Sequence, residues 1–410
     1  MESRVFKIGI MGINRGRYAI VCEEFLSDQM EVAAVCETNG DLIASLREEG
    51  ILTDRVKVYG DFNEFIRSGI DAVLLCNYFH EHTEYAIRAM EAGVAVLSDT
   101  TAAPSLGECV KLVEAAEKTG AKYMLGANCL YFRVIQAMKQ RMDEKKFGAP
   151  VFIDCEYVHQ IEKGGTKDIA GTFGEPDVNN LHWRRTLPRC YYNMHDFGPM
   201  MYAINAFPKR VMGKAVVTDD PKSKLVNYDK CYALVEMDNG AIINYSGFTA
   251  AGTSGKWYRI ACTNGTLESV RYAEGSDKLI EGSLHSHETV DITWSGSGAL
   301  TEEEEQRFGG GSEEFESRTH GGIDLILLIH FLRYLRDEEK PFFDVYNAVT
   351  LSATGIMAWY SMLLDGKQLD IPDFRKKEDR EKYRNDFRSP FAKRLTDMTL
   401  PSSVGGKFEL

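Results

Sequence analysis

Short apolar runs alternate with amphipathic segments over the first third of the chain. The apolar runs predict strands at residues 8–11, 32–36, 56–59, 72–76, 95–98 and 123–127. Between them, residues 83–92 and 106–119 show the 3.6-residue spacing of helices. This order predicts a doubly wound parallel sheet with helices on its faces. Right-handed crossovers then bring the carboxyl ends of the strands to one edge of the sheet.

The pattern changes after Gly148 and Pro150, which end a helical segment. Strands are then predicted at residues 151–159, 210–217, 231–237, 241–248 and 257–263, with a hairpin turn at residues 238–240. Residues 295–317 predict a mobile acidic loop, and helices follow at 323–337 and 345–364. We therefore expect an α/β protein whose residues 1–128 form a Rossmann domain. Residues 129–410 are expected to form an α+β domain with an open, mostly antiparallel sheet.

Composition narrows the classes of function. The 410 residues carry a formal net charge of −13, which argues against nucleic acid as a partner and provides no basic patch for a membrane surface. No apolar run approaches the ~18 residues of a membrane span, and the first strand begins too early for a signal peptide. The nine scattered cysteines predict reduced thiols in a cytoplasmic protein. The open sheet face predicts a homodimer or homotetramer.

The first predicted strand runs into a glycine turn, Gly12-Ile13-Asn14-Arg15-Gly16, and then a helix. This order places backbone N–H groups and a helix N-terminus where a pyrophosphate can bind. The turn has two glycines of the G-x-G-x-x-G fingerprint, with Asn14 in the middle position, and Asn tolerates a left-handed backbone. An ordinary strand–turn–helix is the alternative.

An acidic residue supports the dinucleotide interpretation. Glu37 follows the second strand, 25 residues after Gly12, near the spacing of a carboxylate that binds the adenosine ribose. Such a carboxylate repels a 2′-phosphate and therefore favours NAD over NADP, although Arg15 and Arg17 leave NADP open. A solvated acid at a strand end is the alternative.

Two polar clusters follow the fourth and fifth strands, at the edge where ligands bind. The first contains Asn77, His80 and His82; a metal site there lacks a third ligand, so we expect no metal and expect His82 to start a helix beside the cofactor. The second, Asp99 and Thr100, is expected near the nicotinamide, with a cap of the next helix as the alternative.

A third cluster lies in residues 183–199, where Tyr192 and His195 are three residues apart. One helical turn would place both on the same face. A neutral His, or a Tyr with a lowered pKa, can take the hydroxyl proton that an alcohol loses when its carbon gives up a hydride. The alternative is that His195 is a hydrogen-bonded core residue.

Together these motifs resemble the glucose–fructose oxidoreductase/inositol dehydrogenase/rhizopine catabolism family (Gfo/Idh/MocA). The resemblance rests on the glycine turn, on residues 71–73, on His82 with residues 86–93, on Asn128 and on His195. Most members have Glu-Lys-Pro where this chain has Asp99, Thr100 and Thr101, so their lysine is absent. Most also have Asp where this chain has Tyr191.

A lysine-less branch, the NAD-dependent glycosidases of glycoside hydrolase family 109, looks more similar. Its motifs resemble residues 183–185, 192–199, 320–324, 344–348 and 372–374 of this chain. In that group a bound NAD oxidises the sugar at C3, the C2 proton becomes acidic, the aglycone is eliminated, water adds, and the ketone is reduced again.

The resemblance implies a tightly bound NAD and a sugar or glycoside substrate. The expected cofactor-binding residues are Gly12, Ile13, Asn14, Arg15, Gly16, Glu37, Asn77, His82, Asp99, Thr100 and Asn128. His195 is the expected base with Tyr192 as its partner, and the expected substrate-binding residues are Tyr157, His159, Trp183, Arg184, Arg185 and His320. A solvated surface pair is the alternative for the two neighbouring arginines.

Three hypotheses follow. The first is an NAD-dependent dehydrogenase that oxidises a ring hydroxyl, at C3, to a ketone. The second is a redox-neutral glycosidase that continues from the same ketone and needs a second base, for which Tyr192, Tyr157 and Glu156 are candidates. The third is a dinucleotide-dependent sensor without activity, since a fold alone does not guarantee catalysis.

Overall fold

The computed structural model describes residues 4–159, 187–215, 230–249, 255–271, 277–308 and 320–391. The chain divides into two compact units. The first lies within residues 1–103, 108–131 and 299–349, and the second within residues 104–107, 132–298 and 350–410. Residues 299–308 and 320–349 thus pack with the N-terminal part, and the domains 1–128 and 129–410 stay a prediction.

A parallel sheet forms the centre of the first unit. Its strands are β1 (Phe6–Met11), β2 (Met30–Cys36), β3 (Lys57–Tyr59), β4 (Ala72–Leu75), β5 (Ala95–Ser98) and β6 (Tyr123–Leu125). Within the described residues their order is β3-β2-β1-β4-β5-β6, the arrangement of a dinucleotide-binding fold. All residues of β4 are buried, as expected for a sheet covered on both faces. The predicted Rossmann sheet is confirmed.

The four helices whose bounds the sequence predicts are found, each within two residues of the predicted ends. The helices are α1 (Ile13–Leu26), α2 (Gly40–Glu48), α3 (Phe62–Ile66), α4 (His82–Glu91), α5 (Leu106–Thr119), α6 (Arg133–Asp143), α7 (Phe197–Ile204), α8 (Glu302–Phe308), α9 (Ile323–Leu335), α10 (Val345–Leu363) and α11 (Lys377–Tyr383). Asn39 and Asp61 cap α2 and α3 by accepting hydrogen bonds from backbone N–H groups of the first turn. The prediction of a loop over residues 295–317 is wrong for Glu302–Phe308, which forms a helix. The four glutamates of its first turn stabilise the helix N-terminus.

An open sheet forms the centre of the second unit. Its strands are β7 (Pro150–His159), β8 (Pro208–Ala215), β9 (Lys230–Met237), β10 (Ile242–Thr249), β11 (Gly255–Cys262), β12 (Gly265–Ser269), β13 (Lys278–Gly282), β14 (His287–Asp291) and β15 (Leu369–Asp370). The order among the described residues is β14-β13-β12-β11-β7-β10-β9-β8-β15. β7 and β10 run parallel and the other neighbours antiparallel, which confirms the predicted mostly antiparallel sheet.

The two faces of this sheet differ. Along β9, Ala233, Val235 and Met237 are buried, whereas Tyr232 and Leu234 are exposed. The turn between β9 and β10 contains Gly240 at φ +85°, a left-handed backbone that favours glycine, so the predicted hairpin is present.

Candidate active site

The glycine turn of the first unit admits no larger residue at its first position. Gly12 follows β1 directly and has φ +84°. A Cβ on Gly12 would lie 2.6 Å from the backbone carbonyl atoms of Cys76, which follows β4. A Cβ on Gly16 would lie 2.3 Å from Ile10 Cγ2, so this glycine allows close packing of α1 on β1. These are the roles that a dinucleotide-binding turn gives its glycines.

Glu37 reaches this turn from the end of β2. Its Oε2 accepts a hydrogen bond from the Ile13 N–H at 3.2 Å, at the start of α1. Its Oε1 accepts from the N–H groups of Thr38 and Asn39 at 2.9 and 3.0 Å. The carboxylate is therefore fixed beside the glycine turn, and its role on a ribose stays a prediction.

His82 joins the segments that follow β4 and β5. It begins α4, as predicted, and its two ring nitrogens lie 3.2 and 3.1 Å from the carbonyl oxygens of Thr101 and Asn77. Burial lowers the pKa of His82, with partial opposition from Asp99 and these carbonyls. His80 lies in a separate 3-10 turn, and the described residues contain no group of three His, Cys, Asp or Glu that could hold a metal ion.

A network around Arg15 occupies the same unit. Arg15 Nε donates to Asp99 Oδ2 at 3.1 Å, and its Nη1 and Nη2 donate to Asp324 Oδ2 and Oδ1 at 2.9 and 2.8 Å. Asn128 Nδ2 donates to Asp324 Oδ1 at 2.9 Å, and His320 Nδ1 lies 3.0 Å from Asp324 Oδ2. We name these five residues the Arg15 cluster. It brings together four predicted site residues through a fifth, Asp324, that was not predicted.

The electrostatics of the Arg15 cluster favour the ionised forms of Arg15 and Asp324. Asp324 is 1% exposed, and burial alone would raise the pKa of its carboxyl. Arg15 and His320 more than offset burial and hold this pKa well below its usual range. Conversely, Asp99 and Asp324 hold the pKa of Arg15 above its usual value against the effect of burial. The bidentate pair is a strong, directional contact.

Two amide oxygens of this unit lack partners. Asn77 Oδ1 and Asn128 Oδ1 are buried and accept no hydrogen bond within the part of the chain that the structure describes. Buried polar atoms are nearly always bonded, so each oxygen can accept a donor from a ligand. A dinucleotide presents hydroxyl and amide donors, so the residues present fit NAD. Of the other predicted cofactor residues, Asn14 is exposed and Thr100 is half-buried.

Three nearly parallel rings lie together in the second unit. The ring centroids of Tyr192 and His195 are 4.5 Å apart, and Tyr157 on β7 lies 4.7 Å from His195 and 5.8 Å from Tyr192. We name Tyr157, Tyr192 and His195 the His195 ring cluster. The predicted proximity of Tyr192 and His195 is found, but outside an α-helix: a 3-10 turn, Arg189–Tyr192, precedes His195. The Tyr258 hydroxyl donates to the His195 carbonyl oxygen at 2.6 Å and fixes this backbone.

Two buried charged residues flank the His195 ring cluster in sequence. Asp196 begins α7, where its Oδ1 accepts from the Phe197 N–H at 2.6 Å. Burial raises the pKa of Asp196 to about 7, although this hydrogen bond and Arg189 oppose the shift. The Arg189 guanidinium lies 5.1 and 5.4 Å from the ring centroids of Tyr192 and Tyr157. Neither residue was predicted, because neither matches a motif.

Several predicted residues have no described side chain. Trp183, Arg184 and Arg185 lie outside the described residues, and His159 ends β7 with only its backbone described. All nine cysteines are free thiols. Among the helices of the described residues, none combines the length and apolar character needed to cross a membrane.

Comparison with known families identifies the class first. Residues 6–127 match the model described as "Oxidoreductase family, NAD-binding Rossmann fold", so the chain is an enzyme of an NAD-binding oxidoreductase family. Residues 247–381 match the model described as "Glycosyl hydrolase 109, C-terminal domain". These two matches confirm the predicted resemblance to the Gfo/Idh/MocA oxidoreductases and to their glycoside hydrolase family 109 branch.

Relatives and solved structures agree with this assignment. A glycosyl hydrolase family 109 protein of Stenotrophomonas maltophilia is 24% identical over 91% of this chain and 90% of its own. An alpha-N-acetylgalactosaminidase of Tannerella forsythia is 23% identical over 86% and 84%. A levoglucosan dehydrogenase in complex with NADH and levoglucosan superposes with a TM-score of 0.72 at 15% identity, over 90% of this chain and 100% of that one. At this identity the superposition shows the fold alone.

Proposed function

We propose that the protein is an NAD-dependent oxidoreductase that converts a ring hydroxyl of a sugar or glycoside, at C3, to a ketone. The observation that carries the proposal is the His195 ring cluster, in which the imidazole of His195 stacks against the phenol rings of Tyr157 and Tyr192. The NAD-binding family and the unpartnered oxygens of Asn77 and Asn128 support the cofactor. Tight retention of NAD, a cytoplasmic location and homo-oligomeric assembly stay predictions.

Each group of the site has a separate task in this reaction. Gly12, Gly16 and Glu37 hold the dinucleotide, and Asn77 and Asn128 offer acceptors to its donors. When bound, NAD supplies the hydride acceptor for the carbon that is oxidised. His195 takes the proton of the hydroxyl on that carbon, and its neutral imidazole is suited to this near pH 7. Tyr258 holds the His195 backbone, which limits the positions of the imidazole.

The absent lysine of the family has a physical replacement in this proposal. Asp99 follows β5, and the cation that contacts its carboxylate is Arg15, from the first turn of α1. The pair with Asp324 fixes the direction of the guanidinium. We therefore propose that Arg15 takes over the positioning task at the cofactor site: it holds the carboxylate of Asp99, and Asp99 and Asp324 balance its charge.

A second candidate function is the complete redox-neutral cleavage of a glycoside. The match of residues 247–381 to the glycosyl hydrolase 109 C-terminal domain favours it. This cycle needs a base for the C2 proton. Glu156 already pairs with Arg271 at 3.2 Å, so Tyr157 and Tyr192 are the better candidates for this task.

The test is turnover of aryl α- and β-glycosides by the purified, NAD-containing protein, with aglycone release and NADH absorbance followed together. A 3-keto product with NADH formed, or with an added keto acceptor consumed, supports the dehydrogenase. Aglycone release without net NADH supports the redox-neutral glycosidase. Binding of NAD without turnover of any sugar would contradict both and favour a sensor.

A variant tests the base directly. We expect His195→Ala to lose turnover by roughly 10²–10⁴-fold, the usual contribution of a positioned base, while NAD still binds. His287→Ala is the matched control, because His287 is exposed on β14 of the same unit. Activity of His195→Ala comparable to that of the control would contradict the assignment of the base.

A further inference from the structure

We propose that the substrate carries a carboxylate, as in a uronic acid or its glycoside, and that Arg189 binds it beside the His195 ring cluster with help from Lys256. This inference deepens the proposed function and rests on it. It assigns a role to two cations that no motif or family match accounts for. The argument begins with the burial of Arg189.

Within the described residues, Arg189 is a buried cation with two unpartnered donor nitrogens. Its side chain belongs to a residue that is 7% exposed, and Nε and Nη2 are buried with no acceptor within the described residues. Arginines are almost never buried unless they are paired, because removing a charge from water is costly. The rings of Tyr157 and Tyr192 contact the guanidinium but offer only their π faces.

Lys256 on β11 brings a second cation to the same tyrosine. Its Nζ lies 5.8 Å from the Tyr157 ring centroid and 4.6 Å from that of Phe132. Lys256 is half-buried and forms no ion pair with a carboxylate of the described residues. Two cations therefore converge on Tyr157, and both contact aromatic rings instead of acids.

This convergence is notable in a chain whose formal net charge is −13. Acidic residues are abundant, yet the carboxyls near this site do not neutralise Arg189. Glu156 is paired with Arg271, and Asp196, with a pKa raised to about 7 by burial, is partly protonated at neutral pH. A ligand with a negative charge would therefore pair with the two unpartnered donors of Arg189.

The two unpartnered donors indicate the shape of that ligand. Nε–H and Nη2–H lie on the same edge of a guanidinium, and this edge matches the two oxygens of a carboxylate. Phosphate and sulfate esters have the same oxygen spacing, so they are the competing sources of anionic oxygen. A carboxylate fits a sugar ring best, because C6 of a hexose becomes one without enlarging the molecule.

The first experiment needs no variant. Isothermal titration calorimetry on the NAD-loaded protein would compare methyl glucuronides and galacturonides, of both anomers, with the corresponding methyl glucosides and galactosides. We expect at least one uronide to bind roughly tenfold or more tightly than its neutral counterpart, the scale of a charge-assisted hydrogen bond. Equal or weaker binding of every uronide would overturn the proposal. Tighter binding of a hexose 6-phosphate or 6-sulfate would overturn the carboxylate assignment.

Variants then locate the contact. Arg189→Gln should abolish the preference for the uronide, and Arg189→Lys should restore part of it. Lys256→Gln should reduce the preference without affecting the buried Arg189. Arg210→Gln is the control, because Arg210 lies on β8 of the same sheet and is already paired with Glu236 on β9. An unchanged preference in both Arg189→Gln and Lys256→Gln would refute the site.

Failure of this inference and failure of the proposed function are distinguishable. Turnover of neutral glycosides without a preference for uronides would keep the function and reject the inference. Preferred, Arg189-dependent binding of a uronide without any ketone or aglycone formed would keep the binding site and reject the function.

Discussion

The Arg15 cluster and the surroundings of the His195 ring cluster differ in how their buried charged groups are paired. In the first, Arg15 meets two carboxylates, and both oxygens of Asp324 are hydrogen-bonded. In the second, Arg189 has two donors without acceptors, and Asp196 has a pKa near 7. One region satisfies its charges internally, whereas the other leaves its charges unsatisfied.

This difference in pairing indicates a different function for each region. A network of satisfied charges is rigid, which suits the recognition of a cofactor that every catalytic cycle needs. Unsatisfied buried charges cost free energy, so they persist where a ligand or reaction compensates them. We therefore expect variants in the first region to affect mainly stability and cofactor affinity, and variants in the second to affect substrate selection and pH dependence.

The largest stability effect is expected for Asp324→Asn. Removing one partner of a fully buried ion pair costs about 3–5 kcal/mol, and we expect the lower end, since the side chain of Arg15 is 29% exposed. The pKa of Asp324 is lower in the folded protein than in the unfolded chain. Its contribution is therefore fully present above about pH 4 and is lost as the pH falls further. Urea unfolding at pH 7 and at pH 3 measures both effects.

Asp99→Asn is the matched control for this variant. Asp99 contacts the same guanidinium through one hydrogen bond instead of two, and its side chain is 16% exposed. We expect a smaller loss of stability, about 1 kcal/mol, on the scale of one charged contact. If Asp99→Asn proved as destabilising as Asp324→Asn, the buried bidentate pair would not be the centre of the Arg15 cluster.

The opposite pH dependence is expected for Asp196. Its folded pKa, about 7, lies above the value of ~3.9 for an unfolded Asp, so the folded state binds the proton more tightly. The stability contribution of this group is therefore fully present below pH 4 and declines as the pH rises to about 7. Asp196→Asn should stabilise the protein at pH 8 by roughly 1–3 kcal/mol and have little effect at pH 4. Thermal unfolding across this range measures the difference.

Asp196→Ala separates titration from helix capping. Asn can still accept the hydrogen bond of the Phe197 N–H, whereas Ala cannot, and loss of an N-cap costs about 1 kcal/mol. At pH 8 the stabilisation by Ala is therefore expected to be about 1 kcal/mol smaller than the stabilisation by Asn. A stability profile of Asp196→Asn that is parallel to the wild type from pH 4 to 8 would contradict the raised pKa.

The sequence was sufficient for most of the strands, whereas the roles of the site residues stay predictions. Periodicity and turn residues located β1 to β11, because each depends on neighbours within a few positions, but β12 to β15 were not predicted. Asp324 was missed as a site residue, although residues 320–324 had been noted, because its contact with Arg15 spans 309 positions. The unpartnered state of Arg189 and the burial of Asp196 likewise depend on tertiary packing, which no local pattern encodes.

The sharpest test of the cofactor assignment is Glu37→Ala. Loss of a carboxylate that accepts the ribose hydroxyls should weaken NAD binding by roughly 1–2 kcal/mol and reduce discrimination against NADP, because the 2′-phosphate is no longer repelled. Glu37 also holds the backbone N–H of Ile13, so a loss of NAD affinity alone could reflect local disorder. Asn39→Ala is the control, because it removes the neighbouring cap of α2 without removing a charge. Only Glu37→Ala should raise the relative affinity for NADP, and an unchanged ratio of NAD to NADP affinity would place this carboxylate outside the ribose site.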